Sequence, residues 1–225
     1  MLVQNDNNGR SMIEMIGVLA IIGMLSIGGI AGYSKAMESF RVQKTIEIIT
    51  ELSLNIRNAF INEYDYSAMD REHPVEQMMN IGAVPEEYPM EDCENYGGKC
   101  VKTPFQSLLF ISPTDDIQDD QEVSFGYNLI LDVKQGDVEK LPKKACITLA
   151  TAVWFHSGAK AVGLTSSADD FSVSSRVVED SDQNCVDNGD SFFCTYKKNN
   201  YQPITPIMAE KYCKKDDAKL IILFE

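Results

Sequence analysis

The residues best suited to chemistry in this sequence are its six cysteines. They are Cys93, Cys100, Cys146, Cys185, Cys194 and Cys213. None forms a Cys-x-x-Cys pair or a Cys/His spacing typical of zinc, and a structural zinc site needs four close ligands. An even number of cysteines without a metal pattern indicates disulfide bonds and an oxidising compartment. The alternative is a set of buried free thiols in a cytosolic protein.

No other group of residues predicts an active site. Neither His73 nor His156 stands in a recognisable nucleophile motif, so we predict no catalytic residues and no enzyme. An acidic cluster could bind calcium through carboxylate oxygens, but it lacks the glycine of a calcium-binding loop, and a solvated loop is the favoured interpretation. The cluster consists of Asp115, Asp116, Asp119, Asp120 and Glu122. We therefore expect no metal and no cofactor.

The balance of charge argues against one class of partner. The 225 residues include 34 acidic and 20 basic side chains, which gives a net charge of −14. A surface that binds nucleic acid must be basic to neutralise phosphates, so we expect the isolated subunit to bind no nucleic acid. The length is sufficient for one sizeable globular core in addition to a tail.

A long apolar segment near the start indicates attachment to a membrane. From Met15 to Tyr33 the chain has 19 residues without a charge. As a helix they would extend about 28 Å, close to the hydrocarbon thickness of a bilayer. A buried core helix normally has a polar face, and the apolar part of a secretory signal peptide is shorter. The segment is therefore predicted to span a membrane.

The residues after this segment continue the helix with one apolar side. Between Ser34 and Asn62, five large apolar residues recur at intervals of three and four, which is one face of a helix. They are Ile46, Ile49, Leu52, Ile56 and Phe60. The first proline is Pro74, so one continuous helix is predicted. Glu14, at the edge of the apolar segment, is a carboxylate that is costly in lipid unless it is paired or near the interface.

The residues around Glu14 resemble the processing site of type IV pilins and of type II secretion pseudopilins. The motif GRSMIE, from Gly9 to Glu14, directly precedes the apolar segment. The resemblance implies that prepilin peptidase cuts after Gly9 and that the new N-terminal residue, Arg10, is methylated. It also implies that Glu14 is the fifth residue of the mature chain.

The same resemblance implies how copies of the chain assemble. In a filament the amine of a neighbour's Arg10 could neutralise the carboxylate of Glu14 and so set the axial register. Gly28 and Gly32, four residues apart, would let two helix backbones approach closely. We expect a leader at 1–9, a transmembrane and assembly helix at 10–33, the amphipathic half of that helix at 34–62 and a globular domain at 63–225.

The sequence after the helix predicts an α+β fold, in which an antiparallel sheet packs on the amphipathic half of the helix. The clearest strand runs from Val123 to Val133, where large apolar residues alternate with small or polar ones, typical of a half-buried strand. The other predicted strands are Phe105–Ile111, Phe171–Val178, Phe192–Tyr196 and Leu220–Phe224. The predicted short helices are Val75–Asn80, Lys143–Phe155 and Pro206–Lys214.

Two segments of this domain resemble type IVb pilins in particular. One is LPKKAC, which ends at Cys146 and leads into a helix with Trp154, and the other is AEKYC, which ends at Cys213 and precedes a final strand. The resemblance implies that a bond between these two cysteines staples the C-terminal segment to the sheet.

Six cysteines allow fifteen pairings, and the sequence alone does not choose among them. Proximity favours Cys93 with Cys100, because glycines between them permit a tight reversal. It also favours Cys185 with Cys194, which flank the turn-forming residues 187–190. The remaining two cysteines are the pair that the type IVb resemblance implies.

Together these features predict a structural subunit of a type IV pilus, a major or minor pilin that polymerises through its N-terminal helix. The expected partners are prepilin peptidase, identical or related pilin subunits, and the inner membrane. The C-terminal domain is expected to be periplasmic before assembly and part of an extracellular pilus afterwards. The alternatives are a pseudopilin of a type II secretion or DNA-uptake machine, and a membrane-tethered adhesin with the same leader.

Overall fold

The computed structural model describes residues 8–93, 98–114, 116–118, 121–135, 138–166, 185–187, 189–197, 200–201, 203–215 and 217–225. The chain divides into two compact units, Met1–Arg41 and Val42–Glu225. The predicted strand Phe171–Val178 and most of the predicted leader lie outside the described residues.

Helix α1 runs from Asn8 to Ala59 without interruption and contributes to both units. In the first unit every side chain from Met12 to Ala36 is exposed. By length and composition this helix could cross a membrane. The expected continuous helix is therefore present, and it ends three residues before the predicted end.

The second unit adds three short α-helices and a 3₁₀ turn. They are α2 (Pro74–Asn80), α3 (Lys143–Ala150), the 3₁₀ turn (Trp154–Ser157) and α4 (Pro206–Cys213). A proline occupies the first position of α2 and of α4, where its missing N–H is not needed. Thr205 caps α4, because its hydroxyl accepts a hydrogen bond from the backbone N–H of Met208 at 3.4 Å.

The structure describes thirteen strands. They are β1 (Met90–Cys93), β2 (Gly98–Lys102), β3 (Leu108–Pro113), β4 (Asp116–Gln118), β5 (Gln121–Val123), β6 (Tyr127–Asp132), β7 (Lys134–Gln135), β8 (Val138–Glu139), β9 (Ala159–Thr165), β10 (Cys185–Asp187), β11 (Ser191–Lys197), β12 (Asn200–Tyr201) and β13 (Lys219–Phe224). The main sheet is antiparallel, has the order β1-β2-β3-β6-β13-β9-β11-β10, and pairs β12 with β11. β4 with β5 and β7 with β8 form separate hairpins. Although β13 is the last described strand in the chain, it lies in the middle of the sheet between β6 and β9.

One face of the sheet packs on the second half of α1. Ile49, Leu52 and Ile56 are completely buried in a cluster with sheet residues such as Leu129. Of the five predicted stripe residues, four are buried and Ile46 is half-buried against them. Burying each side chain of this size stabilises a fold by about 1.5–3 kcal/mol. The prediction of an α+β fold with an antiparallel sheet on an amphipathic helix is therefore confirmed.

The prediction of a half-buried strand at 123–133 is wrong in its burial. The observed strand β6 is shorter, and all six of its side chains are buried. Its second face belongs to another apolar cluster, which includes Phe110, Ile130 and Ile221. The alternation in the sequence therefore reflects two buried faces of different composition.

Two predicted elements have different bounds for local reasons. α3 ends at Ala150 and not at Phe155, because the buried Trp154 indole N–H donates to the carbonyl oxygen of Leu149 at 2.9 Å. A longer helix would have used that same acceptor. β3 begins after Phe105, because residues 103–107 form a turn in which Gln106 has a φ of 65°.

The acidic segment predicted as a loop contains two strands. Asp116 lies in β4 and Glu122 in the paired β5, so the loop prediction is wrong for these two residues. The other three acidic residues of that cluster lie outside the described ranges.

Candidate functional site: the exposed part of helix α1

The first part of α1 has one charged side chain in an otherwise apolar surface. Between Ser11 and Ser34 the only charged residue is Glu14, and it is exposed. Gly9 and Arg10 lie in the first turn of the helix. The backbone therefore places Glu14 four residues, about 6 Å along the axis, after the predicted new N-terminus.

Two glycines of this segment, Gly28 and Gly32, have open space around them. A Cβ atom added to Gly28 or Gly32 would meet nothing within 4 Å. Each glycine in a helix costs about 1 kcal/mol relative to alanine. The structure therefore leaves open space beside Gly28 and Gly32.

Two serine hydroxyl groups, one within the apolar segment and one directly after it, form hydrogen bonds within the helix. Ser26 donates to the carbonyl oxygen of Ile22 at 2.7 Å, and Ser34 donates to that of Ile30 at 3.0 Å. Such bonds to the preceding turn let serine lie in an apolar environment without an unpaired donor. These two hydroxyl groups therefore add little to the cost of a lipid or helix-packed environment.

In the second unit, hydrogen bonds from two tyrosines connect α1 to a strand and to the loop before β1. The buried Tyr127 hydroxyl donates to the carbonyl oxygen of Ser53 at 2.9 Å. Tyr88 donates to the carboxylate of Glu51, and burial, followed by this bond, raises the pKa of Tyr88. These contacts join residues 37 and 74 positions apart in the chain, so sequence periodicity could not reveal them.

All six cysteines form disulfides, and the three pairs are the ones favoured above. Cys93–Cys100 links the paired strands β1 and β2. Cys185–Cys194 links directly opposed positions of β10 and β11. Cys146–Cys213 joins α3 to α4, with Cα atoms 6.1 Å apart, and so ties the segment that precedes β13 to the middle of the domain.

An ionic cluster surrounds α4. The hydroxyl of Tyr212 donates to Asp187, which also accepts from the Gly189 N–H at 2.9 Å and from Lys211 at 3.0 Å. These bonds, led by that of Tyr212, lower the pKa of Asp187 to about 2. The sequence indicates a turn at 187–190 but not the contacts with Lys211 and Tyr212, which lie 24 and 25 positions from Asp187.

A similar arrangement joins α3 to α4. Lys143 and Lys214 lie 2.7 Å and 2.8 Å from the Glu210 carboxylate. Hydrogen bonds from Lys143 and then Lys214 lower the pKa of Glu210 to about 2. Lys143 of α3 and Lys214, directly after α4, therefore share one carboxylate.

A buried carboxyl group escaped sequence analysis. Asp132 at the end of β6 is 1% exposed, and neither of its oxygens has a hydrogen-bond partner in the part of the chain that the structure describes. Burial raises its pKa to about 6, while Lys219, its cross-strand neighbour in β13, opposes this shift. The alternating pattern places Asp132 on the polar face of a half-buried strand, but in the structure Asp132 is a buried ionisable group.

The geometry defines a class of molecule: a disulfide-bonded α+β unit continuous with a helix that could cross a membrane. No family model matches the chain, and no curated protein matches it. Among solved structures the chain is similar to one described as the crystal structure of type IVb pilin from Salmonella typhi. That similarity has a TM-score of 0.46 and 10% sequence identity, and it covers 78% of this chain and 95% of the other.

Proposed function

We propose that this chain is a membrane-anchored, pilin-like subunit that polymerises through helix α1 and has no enzymatic role. One observation carries the proposal: a single helix is exposed, uncharged and predominantly apolar from Met15 to Tyr33, and then buries a stripe of its side chains in a folded unit. An exposed apolar surface of this size needs lipid or other helices around it. A subunit that moves from membrane to filament would use the same surface in both places.

Processing after Gly9 is part of the proposal. The motif from Gly9 to Glu14 resembles a prepilin cleavage site, and it lies immediately before the apolar part of α1. Prepilin peptidase is the proposed partner for this step, followed by methylation of Arg10. A glycine at the cut suits an enzyme that must approach the backbone closely.

Assembly would bury Glu14 among the helices of other copies. The free amine of a neighbour's Arg10 is the proposed counter-charge, since an unpaired carboxylate is costly in such surroundings. Gly28 and Gly32, whose surroundings are empty within the chain, would admit a neighbouring helix backbone. The pair of charges would select one axial stagger between copies.

The three disulfides support an oxidising location for the second unit. We therefore place this unit in the periplasm while α1 is in the inner membrane, and on an extracellular filament after assembly.

Replacing Gly9 by valine tests the processing step. The full-length Gly9→Val chain is expected to accumulate in the membrane, while wild type yields a chain that begins at Arg10. Gly17→Val is the matched control, because Gly17 lies in the same helix and has nothing within 4 Å of its Cβ position. Mass spectrometry of the N-terminal peptide decides the outcome: normal amounts of the Arg10-terminated chain from Gly9→Val would contradict the proposal.

A further inference from the structure

A cleft lies at the corner of the main sheet where β1, β2 and β3 meet. Its volume is about 230 Å³, and it is partly open to solvent. Sites for drug-sized ligands have volumes from about 300 Å³ upwards, so this cleft suits a ligand with a single ring. Six residues line it: Glu91 of β1, Lys102 at the end of β2, Phe105 and Gln106 in the turn that follows, Leu108 at the start of β3, and Lys140 after β8.

The charged groups of the cleft are one carboxylate and two ammonium groups. The Lys102 ammonium lies 2.6 Å from Oε2 of Glu91, so these two charges neutralise each other. Lys140 is half-buried, and no side chain in the described ranges forms an ion pair or a hydrogen bond with its ammonium group. Its charge still acts on the cleft, because Lys140, after Lys102, lowers the pKa of the Glu91 carboxyl. Within that part of the chain, the cleft therefore has one ammonium group without a partner.

A buried carboxyl group beside the cleft does not supply this partner. Asp132 of β6 is the cross-strand neighbour of Leu108, because the pairing of β3 with β6 extends to the residues next to them. Neither oxygen of Asp132 has a hydrogen-bond partner among the described residues, and its side chain is buried. Asp132 therefore neither binds the Lys140 ammonium nor reaches the interior of the cleft.

The turn between β2 and β3 adds a carboxamide and a small apolar wall. Gln106 is exposed and has a φ of 65°, a conformation that most residues other than glycine avoid. Its N–H donates to the carbonyl oxygen of Thr103 at 2.8 Å, which fixes the turn. Phe105 is 9% exposed and Leu108 is half-buried, so both contribute some apolar surface. Because glycine would suit this conformation better, the glutamine at 106 points to a use for its side chain.

Together these groups select for one kind of ligand. An ammonium without a partner attracts an anionic group such as a carboxylate. Oε1 of Glu91, which the ion pair with Lys102 does not use, accepts hydrogen bonds from hydroxyl groups, and the Gln106 carboxamide both donates and accepts them. A bare anion would be repelled by Glu91, and an apolar ring would leave these polar groups unsatisfied. A sugar ring with a carboxylate meets all of these requirements, because its C–H groups can also contact Phe105.

We propose that this cleft binds an acidic sugar residue with the chemistry of a hexuronate. Lys140 binds its carboxylate, Glu91 and Gln106 bind its hydroxyl groups, and Phe105 and Leu108 contact its C–H groups. This binding goes beyond the proposed function and does not depend on it, because the cleft lies within one folded unit.

Saturation-transfer difference NMR on the full-length chain tests the proposal. The chain is kept in a polyoxyethylene detergent, which contains neither charge nor sugar, and the probes are D-glucuronate, its methyl glycoside, D-glucose and acetate. We expect saturation of D-glucuronate, whereas D-glucose and acetate should bind at least about tenfold more weakly, since each lacks part of the contacts. Saturation of both acids identifies the end residue of a glycan as the ligand, and saturation of the free acid alone identifies the free sugar. No saturation of either acid, or equal affinity for D-glucose or acetate, overturns the proposal.

Substitution of the unpaired lysine provides the second measurement. Lys140→Gln should weaken D-glucuronate binding at least about tenfold, because it removes a charge-assisted hydrogen bond, and Lys140→Arg should keep most of the affinity. Lys99→Gln is the matched control, because Lys99 lies in β2 and does not line the cleft. Unchanged affinity of Lys140→Gln, or an equal loss in Lys99→Gln, overturns the proposal.

A third variant keeps the test independent of any folding defect. Gln106→Gly removes the carboxamide and places glycine at a φ that it adopts readily, so the turn is expected to fold at least as well as in wild type. Its affinity for D-glucuronate should fall about threefold or more, the effect of one lost hydrogen bond. Unfolding in urea, followed by Trp154 fluorescence, shows that each variant is folded. A folded Gln106→Gly chain with wild-type affinity contradicts the assignment of Gln106 to the ligand.

Discussion

Removing the bond between Cys146 and Cys213 should destabilise the second unit more than removing either of the other two bonds. This bond closes a loop of 67 residues, whereas Cys185–Cys194 closes a loop of 9. The chain-entropy relation assigns about 4 kcal/mol to the long loop and about 2.5 kcal/mol to the short one. The double substitution Cys146→Ala with Cys213→Ala is therefore expected to cost about 1.5–2 kcal/mol more than Cys185→Ala with Cys194→Ala.

The only tryptophan provides the assay. Trp154 is 1% exposed and lies just after α3, so its fluorescence reports unfolding of the region that the bond ties down. With an m-value of about 2 kcal/mol per molar urea, the urea midpoint of the full chain in detergent should fall by about 2 M for the first variant and by about 1.3 M for the second. Equal shifts, or a larger shift for the Cys185 and Cys194 variant, would refute the loop-length reasoning.

Two further predictions concern single carboxyl groups. Glu14→Ala should be processed and inserted normally but should enter no filaments by itself. Glu47→Ala, which removes an exposed carboxylate later in α1, should assemble like wild type. Filaments of Glu14→Ala at normal yield would contradict the register argument. Because the pKa of Asp132 is about 6 in the folded chain and about 3.9 unfolded, the folded state binds the proton more tightly. This contribution to the unfolding free energy is present at low pH and is lost as pH rises from about 4 to about 6, by some 2–3 kcal/mol. The difference between wild type and Asp132→Asn in urea unfolding should show this slope, and a difference that does not change with pH would rule it out.

The sequence predicted the elements that have a local signal, such as an apolar stripe on one face of a helix or a proline at its first position. The stripe from Ile46 to Phe60 repeats over four turns, and its burial against the sheet follows from that periodicity. The short helix α4 was predicted within one residue, because Pro206 marks its beginning. Such signals are local, so they are readable without the rest of the fold.

Other elements depend on distant residues. β9 (AKAVGLT) was not predicted, because small residues carry little strand preference. Its Gly163 is required by the ring of Phe193 in β11, which would lie 1.9 Å from a Cβ there. α3 is shortened by the side chain of Trp154. β6 is buried on both faces, on one of them against α1 and on the other in the cluster that includes Phe110. The motif at Gly9 was readable from the sequence, but the ionic cluster around Asp187 was not, because it brings residues from separate elements together.

The central position of β13 sets the order in which the sheet can be completed. β1, β2, β3 and β6 form one half-sheet, β9, β11 and β10 form the other, and hydrogen bonds join the halves through β13. Lys219 must find Asp132, which lies 87 positions earlier, and Thr165 on its other side. Until residues 219–224 are available, each half-sheet has an open edge that a strand from another chain could occupy. Cys213 lies six residues before the start of β13. Once the Cys146–Cys213 bond has formed, it holds the segment of β13 near β9 and lowers the entropy cost of pairing the two strands. The bond therefore shortens the time for which the edges of the half-sheets can pair with a strand from another chain.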